Sequence, residues 1–509
     1  MSTTPVVTGR SEKRSATTLA VGVVLAAAFY RSLNMWAANA WDLSSPVKIL
    51  LIGSALGVVA SGMLLVLSRL GLQSLPTALC IGGLLLVLMN WQTLDPWMRP
   101  TLIGLILLFG WLSHEGDSLP HWSWLAIVFV ASFGLAPVLQ LVLAHIQDPG
   151  PYPLIDLAGP EPATASGSIE DIVFLVVDSY PNLQIGGSWF GHDPGPLVDD
   201  LEDLGFVVEP GAWSQHTFTV LSVSSVLELQ SVIEAGPTRR WGNRSSVFNI
   251  LRGDNLVSQS LESAGFRYTH FESGWDGTSC GPLVDRCVES PWLDEQVWEL
   301  TVPTFAEDWM SDRYFTVTGT LNVAQSLETE LETVVSNSSH DFVFAHFLLP
   351  HDPILVDENC QLLDTTVEDT AEVSTVRAAF SDQMSCVDRL LPQALNAVDG
   401  DTAVLAAGDH GPSTSHQLGL DPGQWSDADI AERFSVLLAY KMPTECETPS
   451  LPDPIVTMAA IISCALEQTH DSGPPRYLVG ADDPELVDPD RMARIQDLVA
   501  SGSLPPDPR

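Results

Sequence analysis

Asp409 and His410 stand side by side just after a short apolar run, Ala403–Ala407, with Gly408 between. A buried strand that delivers a carboxylate and an imidazole at its carboxyl end is a ready metal-ligand pair. Gly411-Pro412 then discourages an immediate helix. Two further stretches share this grammar. The β-forming run IVFLVV, Ile172–Val177, ends at Asp178, and DFVFAHFLL, Asp341–Leu349, ends at Pro350-His351-Asp352-Pro353. A fourth stretch offers a hydroxyl. Val220, Leu221, Val223, Val226 and Leu227 recur at helical spacing, so Thr219 falls at or near a helix amino terminus. Backbone N–H groups there hold a phosphate or sulfate, and the helix dipole favours the anion.

Taken singly, each residue has a plain structural reading: Asp178 a turn carboxylate, Thr219 an N-cap, His351 a turn histidine. Taken together they make one site. Asp178, Thr219, Asp409 and His410 are the candidate metal ligands, and Thr219 is the candidate nucleophile. His351 is the candidate substrate binder or proton donor, with His416 a weaker candidate. A mixed oxygen and nitrogen donor set suits a divalent ion, Zn or Mn first and Mg as a third option. Such an ion would favour the Thr219 alkoxide for attack on phosphorus.

These residues need strands that end at one edge. Strands alternate with helical patterns through this part of the chain. Helices are expected near Asn255–Ala264, Leu321–Val335, Ala371–Leu391 and Ile455–Leu466, with Pro392 stopping or kinking the third. A further strand is expected over Phe434–Tyr440. The fold class is therefore α/β, a mostly parallel sheet sandwiched by helices. Gly277-Thr278-Ser279-Cys280-Gly281 matches GxSxG. Asp276 before it and Pro282 after it deny it the strand–turn–helix a nucleophile elbow needs.

The chain has 509 residues, 46% hydrophobic, and a formal net charge of −41. That acidity argues against nucleic acid as a partner, since phosphate backbones demand Lys and Arg. Residues 1–150 carry few acids and five long apolar runs, roughly 16–36, 48–68, 75–92, 101–113 and 122–145. Most approach the ~20 residues that cross ~30 Å of hydrocarbon. Arg10, Lys13 and Arg14 precede the first run, so the amino terminus is expected on the cytoplasmic side and the last two thirds outside. The expected layout is a tail over 1–15, a membrane domain of about five helices over 16–146 and a Pro/Gly-rich linker over 147–168. A catalytic domain over 169–468 and a tail over 469–509 follow. Cys280, Cys287, Cys360, Cys386, Cys446 and Cys464 all fall in the outer part. Their even number suggests disulfides, with sequence neighbours the simplest of fifteen pairings and buried thiols the alternative.

Four segments, VFLVVDSY, SQHTFTVLS, HFLLPHDP and AAGDHGP, resemble the alkaline phosphatase superfamily in its membrane-bound sulfatase-like branch. That branch includes lipoteichoic acid synthases and lipid A phosphoethanolamine transferases. The resemblance covers roughly residues 170–465 plus the membrane anchor. It implies a metal-dependent enzyme of the cell membrane, with its catalytic domain outside the cytoplasm and a lipid or glycan of the envelope as substrate. A phospho-linked headgroup would pass through a phosphothreonine on Thr219, with Thr217 the second choice. A hydrolase of phosphate or sulfate esters and a non-catalytic envelope-binding domain are the alternatives. The first ligand of that branch is usually glutamate, whereas here it is Asp178. The Cys/Ser-to-Pro-Ser-Arg signature of formylglycine sulfatases is absent near Thr219.

Overall fold

The computed structural model describes residues 8–38, 46–69, 74–89, 101–106, 119–146, 168–235, 244–289, 319–331, 340–367, 372–398, 401–415, 417–481 and 484–506, with short pieces over 152–165 and near 317 and 333. The chain divides into an amino-terminal helical unit and a larger unit holding residues 150–292 and 312–509.

Among the described residues of the first unit, three helices are long and apolar enough to cross a membrane: Thr17–Ala37, Pro46–Arg69 and Trp124–Ile146. The chain is accordingly a membrane protein. Val58 and Val59 are 71% exposed, a disposition that suits hydrocarbon rather than water. Helix packing uses small residues. A Cβ on Gly57 would meet Leu25 Cδ2 at 2.8 Å, and one on Gly53 would meet Phe29 Cδ1 at 2.9 Å. The GxxxG spacing thus lets the first two helices approach closely. The third expected span is the 16-residue helix Ser74–Met89, shorter than the other three. The fourth, 101–113, lies outside the described residues beyond its first six.

The second unit is built on strands β1 (Asp171–Val177), β2 (Val207–Val208), β3 (Ala212–Trp213), β4 (Arg267–Phe271), β5 (Arg286–Val288), β6 (Asp341–Phe347), β7 (Ile354–Val356), β8 (Leu362–Val367), β9 (Thr402–Ala407), β10 (Ser435–Val436) and β11 (Leu438–Lys441). Seven of them form one sheet in the order β2-β11-β9-β1-β6-β4-β5. The β9-β1-β6-β4-β5 run is parallel, and β11 is antiparallel to both its neighbours. Val173, Leu175 and Val177 of β1 enter one core, and Ile172, Phe174 and Val176 enter the other. A strand buried on both faces explains the unbroken apolar run in its sequence.

Register places the chemistry. Val176 of β1 pairs with Ala407 of β9, so Asp178 and Asp409 leave adjacent parallel strands at the same level. Val176 also pairs with His346 of β6. The expected strand Phe434–Tyr440 is broken in two. β10 pairs with β3 and β11 joins the main sheet. Between them, Leu437 donates to the Tyr180 carbonyl at 2.9 Å and accepts from Gly408 at 2.9 Å.

Pro392 does not end its helix, which runs over Val373–Leu395. Only three residues follow the proline, so it sits in the final turn and disturbs little of the bonding. The segment after Thr469, read as a tail, folds back in part. Helix Pro489–Ala500 buries Met492, Ile495 and Val499 in the same core as Val173 and Leu175. Three disulfides join the sequence neighbours, Cys280–Cys287, Cys360–Cys386 and Cys446–Cys464.

Gly411, which donates to the Arg433 carbonyl at 2.8 Å, fixes the turn after His410. A Cβ there would stand 1.9 Å from the Glu432 carbonyl oxygen. Gly411→Ala is expected to destabilise the second unit by about 3 kcal/mol, because backbone must move to admit the methyl. Denaturant unfolding followed by tryptophan fluorescence checks this; an unchanged midpoint would refute it.

Candidate active site and metal centre

The strand exits of β1, β6 and β9 meet the amino terminus of helix Thr219–Leu227. Phe218 is the extended residue before that helix, and Thr219 is its first residue. Ser222, one turn on, donates to the Asp409 carbonyl at 2.6 Å and pairs with the Ser214 hydroxyl at 2.8 Å. These bonds tie the helix to the end of β9.

All five candidate residues lie together. Thr219 Oγ1 is 3.0 Å from His410 Nε2. The same Nε2 is 3.2 Å from Asp409 Oδ2 and 3.7 Å from Asp178 Oδ1. His351 faces His410 edge-on, with ring centroids 5.8 Å apart. Asp178, His351 and His410 offer ligand atoms within 4.8 Å of one another. His351 therefore stands as near the centre as the residues read as ligands, although its expected role is that of substrate binder or proton donor. Its Nδ1 donates to the Asp352 carbonyl, leaving Nε2 for other partners. Gln383 pins this loop, donating to the Pro350 and His351 carbonyls at 2.9 and 3.1 Å.

Thr217 is turned elsewhere. It is fully buried, and its hydroxyl accepts from the Gly480 amide at 3.3 Å. His416 lies outside the described residues. Ser279 of the GxSxG match donates to the Asp276 carbonyl at 2.9 Å, beside the Cys280–Cys287 disulfide.

Three contributors escaped the sequence reading. His346 is fully buried, with Nε2 3.3 Å from Asp178 Oδ2 but not aligned for a hydrogen bond. Ser179 touches Asp178, Asp409 and His410 together. Arg433 is buried and donates to the Thr217 carbonyl at 2.9 Å and the Gly411 carbonyl at 2.6 Å. It so joins the segment before Thr219 to the segment after His410. A polar residue inside an otherwise apolar strand was the available signal for His346.

The electrostatics separate the two carboxylates. Burial pushes Asp409 up, and the neighbouring Asp178 charge adds to it, to about 6. Burial also acts to raise Asp178, but His351, His346 and His410 outweigh it and hold that carboxyl well below its ordinary range. Burial, with the Arg433 charge, lowers His410 well below the usual histidine value. His410 is thus neutral at pH 7, with a lone pair to offer. Burial acts to lower His351, but Asp178 and then Asp352 reverse this, and its pKa is raised.

This donor set fits a divalent cation. Asp409 Oδ2 is buried and has no hydrogen-bond partner, a costly state unless something positive completes it. Asp178, His351 and His410 could hold a cation, with Asp409 and Thr219 beside them, and such a mix of oxygen and nitrogen donors suits a divalent ion.

No protein-family model matches the chain, and no curated protein does. Among solved structures it is similar to the integral membrane lipooligosaccharide phosphoethanolamine transferase A from Neisseria meningitidis. Identity is 12% and the TM-score 0.42, over 84% of this chain and 76% of that one. It is also similar to the C-terminal periplasmic domain of EcEptC from Escherichia coli in complex with Zn, with 10% identity and a TM-score of 0.41, over 65% and 97% of the two chains. A protein in the alkaline phosphatase superfamily from Vibrio parahaemolyticus gives 15% identity and a TM-score of 0.37, over 63% and 75%.

Arg433→Leu is expected to cost about 2–4 kcal/mol, since it strands two buried carbonyls and removes a buried charge. Thermal and denaturant unfolding measure the loss. A variant as stable as the parent would show that Arg433 does not hold the two segments.

Proposed function

We propose that this chain is a membrane-anchored phospho-group transferase that carries a phospho-linked headgroup through a phosphothreonine on Thr219 to a hydroxyl of a lipid or glycan in the cell envelope. The observation that carries the reading is the 3.0 Å approach of Thr219 Oγ1 to His410 Nε2 at a helix amino terminus, beside two buried carboxylates. The membrane spans keep the enzyme at a lipid surface, and about five crossings with a cytoplasmic amino terminus would put the second unit outside. Three disulfides in that unit suit an oxidising compartment.

Asp178, Asp409 and His410 would hold the cation together with Thr219. A divalent ion held there would supply Lewis-acid stabilisation of the Thr219 alkoxide, whose proton would leave to water. Thr219 Oγ then attacks phosphorus. The Oγ–P bond forms, and the bond from phosphorus to the donor's leaving oxygen breaks. His351, with its raised pKa, gives that oxygen a proton. The helix amino terminus faces the phosphoryl oxygens with its N–H dipoles. In the second half, neutral His351 takes the proton of the acceptor hydroxyl as that oxygen bonds to phosphorus. The Oγ–P bond breaks, and Thr219 Oγ takes a proton back from water, which restores the hydroxyl.

A hydrolase differs only in the final acceptor. With water as sole acceptor, sustained turnover would favour hydrolysis, whereas a single burst with a stable phosphothreonine favours transfer.

Thr219→Ala is expected to reduce headgroup transfer more than 1000-fold, roughly the loss expected for an essential nucleophile. Intact-mass measurement should find the phospho-adduct in the parent and none in the variant. Full activity in the variant would sink the assignment. Cation affinity should also follow pH. Asp409 holds its proton up to about 6, and the ligand form is the carboxylate. Affinity for Zn(II) is therefore expected to be level above pH 6 and to fall about tenfold per unit below it. Calorimetric titration between pH 5 and 7.5 checks this, and an affinity that rises on acidification would contradict it.

A further inference from the structure

Ser179 is fully buried and holds a left-handed backbone, with φ 62°. That region is costly for a residue with a Cβ and free for glycine. A non-glycine residue held there at a site is a pointer to function. Its contacts say what the function is.

The Ser179 amide donates to Asp409 Oδ1 at 3.1 Å. This occupies one carboxylate oxygen and leaves Oδ2, the buried atom without a hydrogen-bond partner, as the free donor. The Ser179 hydroxyl lies 3.2 Å from Asp178 Oδ1 and 3.2 Å from His410 Nδ1. His410 Nδ1 is also 3.1 Å from the Gly411 carbonyl, which can only accept. Nδ1 therefore carries the ring proton. The Ser179 oxygen receives part of that N–H, and its own proton goes to Asp178. His410 is thereby left with a bare Nε2, the atom that faces Thr219, Asp178 and Asp409. Hydrogen bonds of this kind fix which nitrogen of a histidine binds metal and how a ligating carboxylate is turned.

We propose that Ser179 is a positioning residue for the metal centre: its amide and hydroxyl together orient Asp178, Asp409 and His410 for a cation, and its left-handed backbone is kept for that purpose. This rests on the reading of those three residues as cation ligands. Ser179 touches neither substrate nor the reacting atoms. Its effect passes through the ligands.

The backbone cost and the hydroxyl's benefit can be separated by substitution. Ser179→Gly keeps the amide bond to Asp409, and by losing Cβ with the hydroxyl it relieves the left-handed strain as it removes the side-chain contacts. Ser179→Ala removes the hydroxyl and keeps the strain. The full chain in detergent, stripped of metal, is titrated with Zn(II) against a competing chelator. Melting of the metal-free protein is followed in parallel. Ser179→Gly is expected to melt no lower than the parent while binding Zn(II) about 10–100-fold more weakly. Ser179→Ala should lose affinity to a similar extent and melt below Ser179→Gly. Ser179→Asn is expected to recover part of the affinity, since asparagine tolerates this backbone and presents both a donor and an acceptor. A glycine variant that binds Zn(II) as tightly as the parent overturns the proposal and leaves the ligand reading standing. A parent that takes up no Zn(II) overturns both.

Discussion

Two carboxylates buried side by side set the terms for this domain. Asp178 and Asp409 emerge from neighbouring parallel strands at one level, and both are almost wholly hidden from water. Like charges so placed cannot both remain ionised without compensation. The chain supplies part of it: three histidines lower Asp178, and Asp409 keeps its proton to about 6. The arrangement is unfavourable for the protein alone and, under the proposed function, would become favourable once a cation shares it. Every nearby device reads as a means of keeping the pair in place despite that cost.

Those devices come from distant parts of the sequence. Arg433, Gln383 and Ser222 make no claim on the central atoms. Each instead holds the backbone that carries one. Arg433 binds the carbonyls of Thr217 and Gly411. Gln383 binds the carbonyls of Pro350 and His351. Ser222 binds the carbonyl of Asp409. Behind Arg433, Glu432 pairs with Arg377 at 3.0 Å and accepts from the Thr414 amide at 2.6 Å. Buried polar groups of this sort stabilise only when all are satisfied, so the network favours one arrangement over near alternatives. That selectivity suits a site whose atoms must be placed to within a few tenths of an ångström.

What the sequence disclosed follows from the same physics. The central strands were legible because a parallel strand buried on both faces must be uniformly apolar, as in Ile172–Val177 and Ala403–Ala407. Their exits were legible only together, because several polar residues placed directly after such runs point to one shared edge, whereas each alone reads as a turn residue. Thr219 was legible through the 3.6-residue spacing that follows it. The supporting residues were not. Ser179 depends on a backbone angle, and residue type does not reveal left-handed geometry in serine. Arg433 lies late in a short helix where an arginine commonly faces solvent. His346 was hidden inside a strand whose apolar character drew the reading. The break at Leu437 arises because two sheets compete for one run, a tertiary effect that local pattern does not contain. The burial of helix Pro489–Ala500, within the segment read as a tail, depends on a surface that the rest of the domain creates.

The charge balance narrows the chemistry further. The chain has 22 basic against 63 acidic residues. At the centre the fixed positive group is Arg433, whose Nε and Nη1 are engaged by backbone carbonyls behind the site. A phosphate diester brought to Thr219 would meet Asp178 in its ionised form, with the helix N–H dipoles and a protonated His351 as the chain's own attraction. A helix terminus contributes roughly half a charge and is too weak to offset one full carboxylate at close range. Under the proposed function, a bound cation would therefore do two things at once. It would satisfy the Asp178–Asp409 pair, and it would offset the negative charge that an incoming phosphoryl group meets. A neutral substrate would gain little from that compensation, so the buried acids suit an anionic one better.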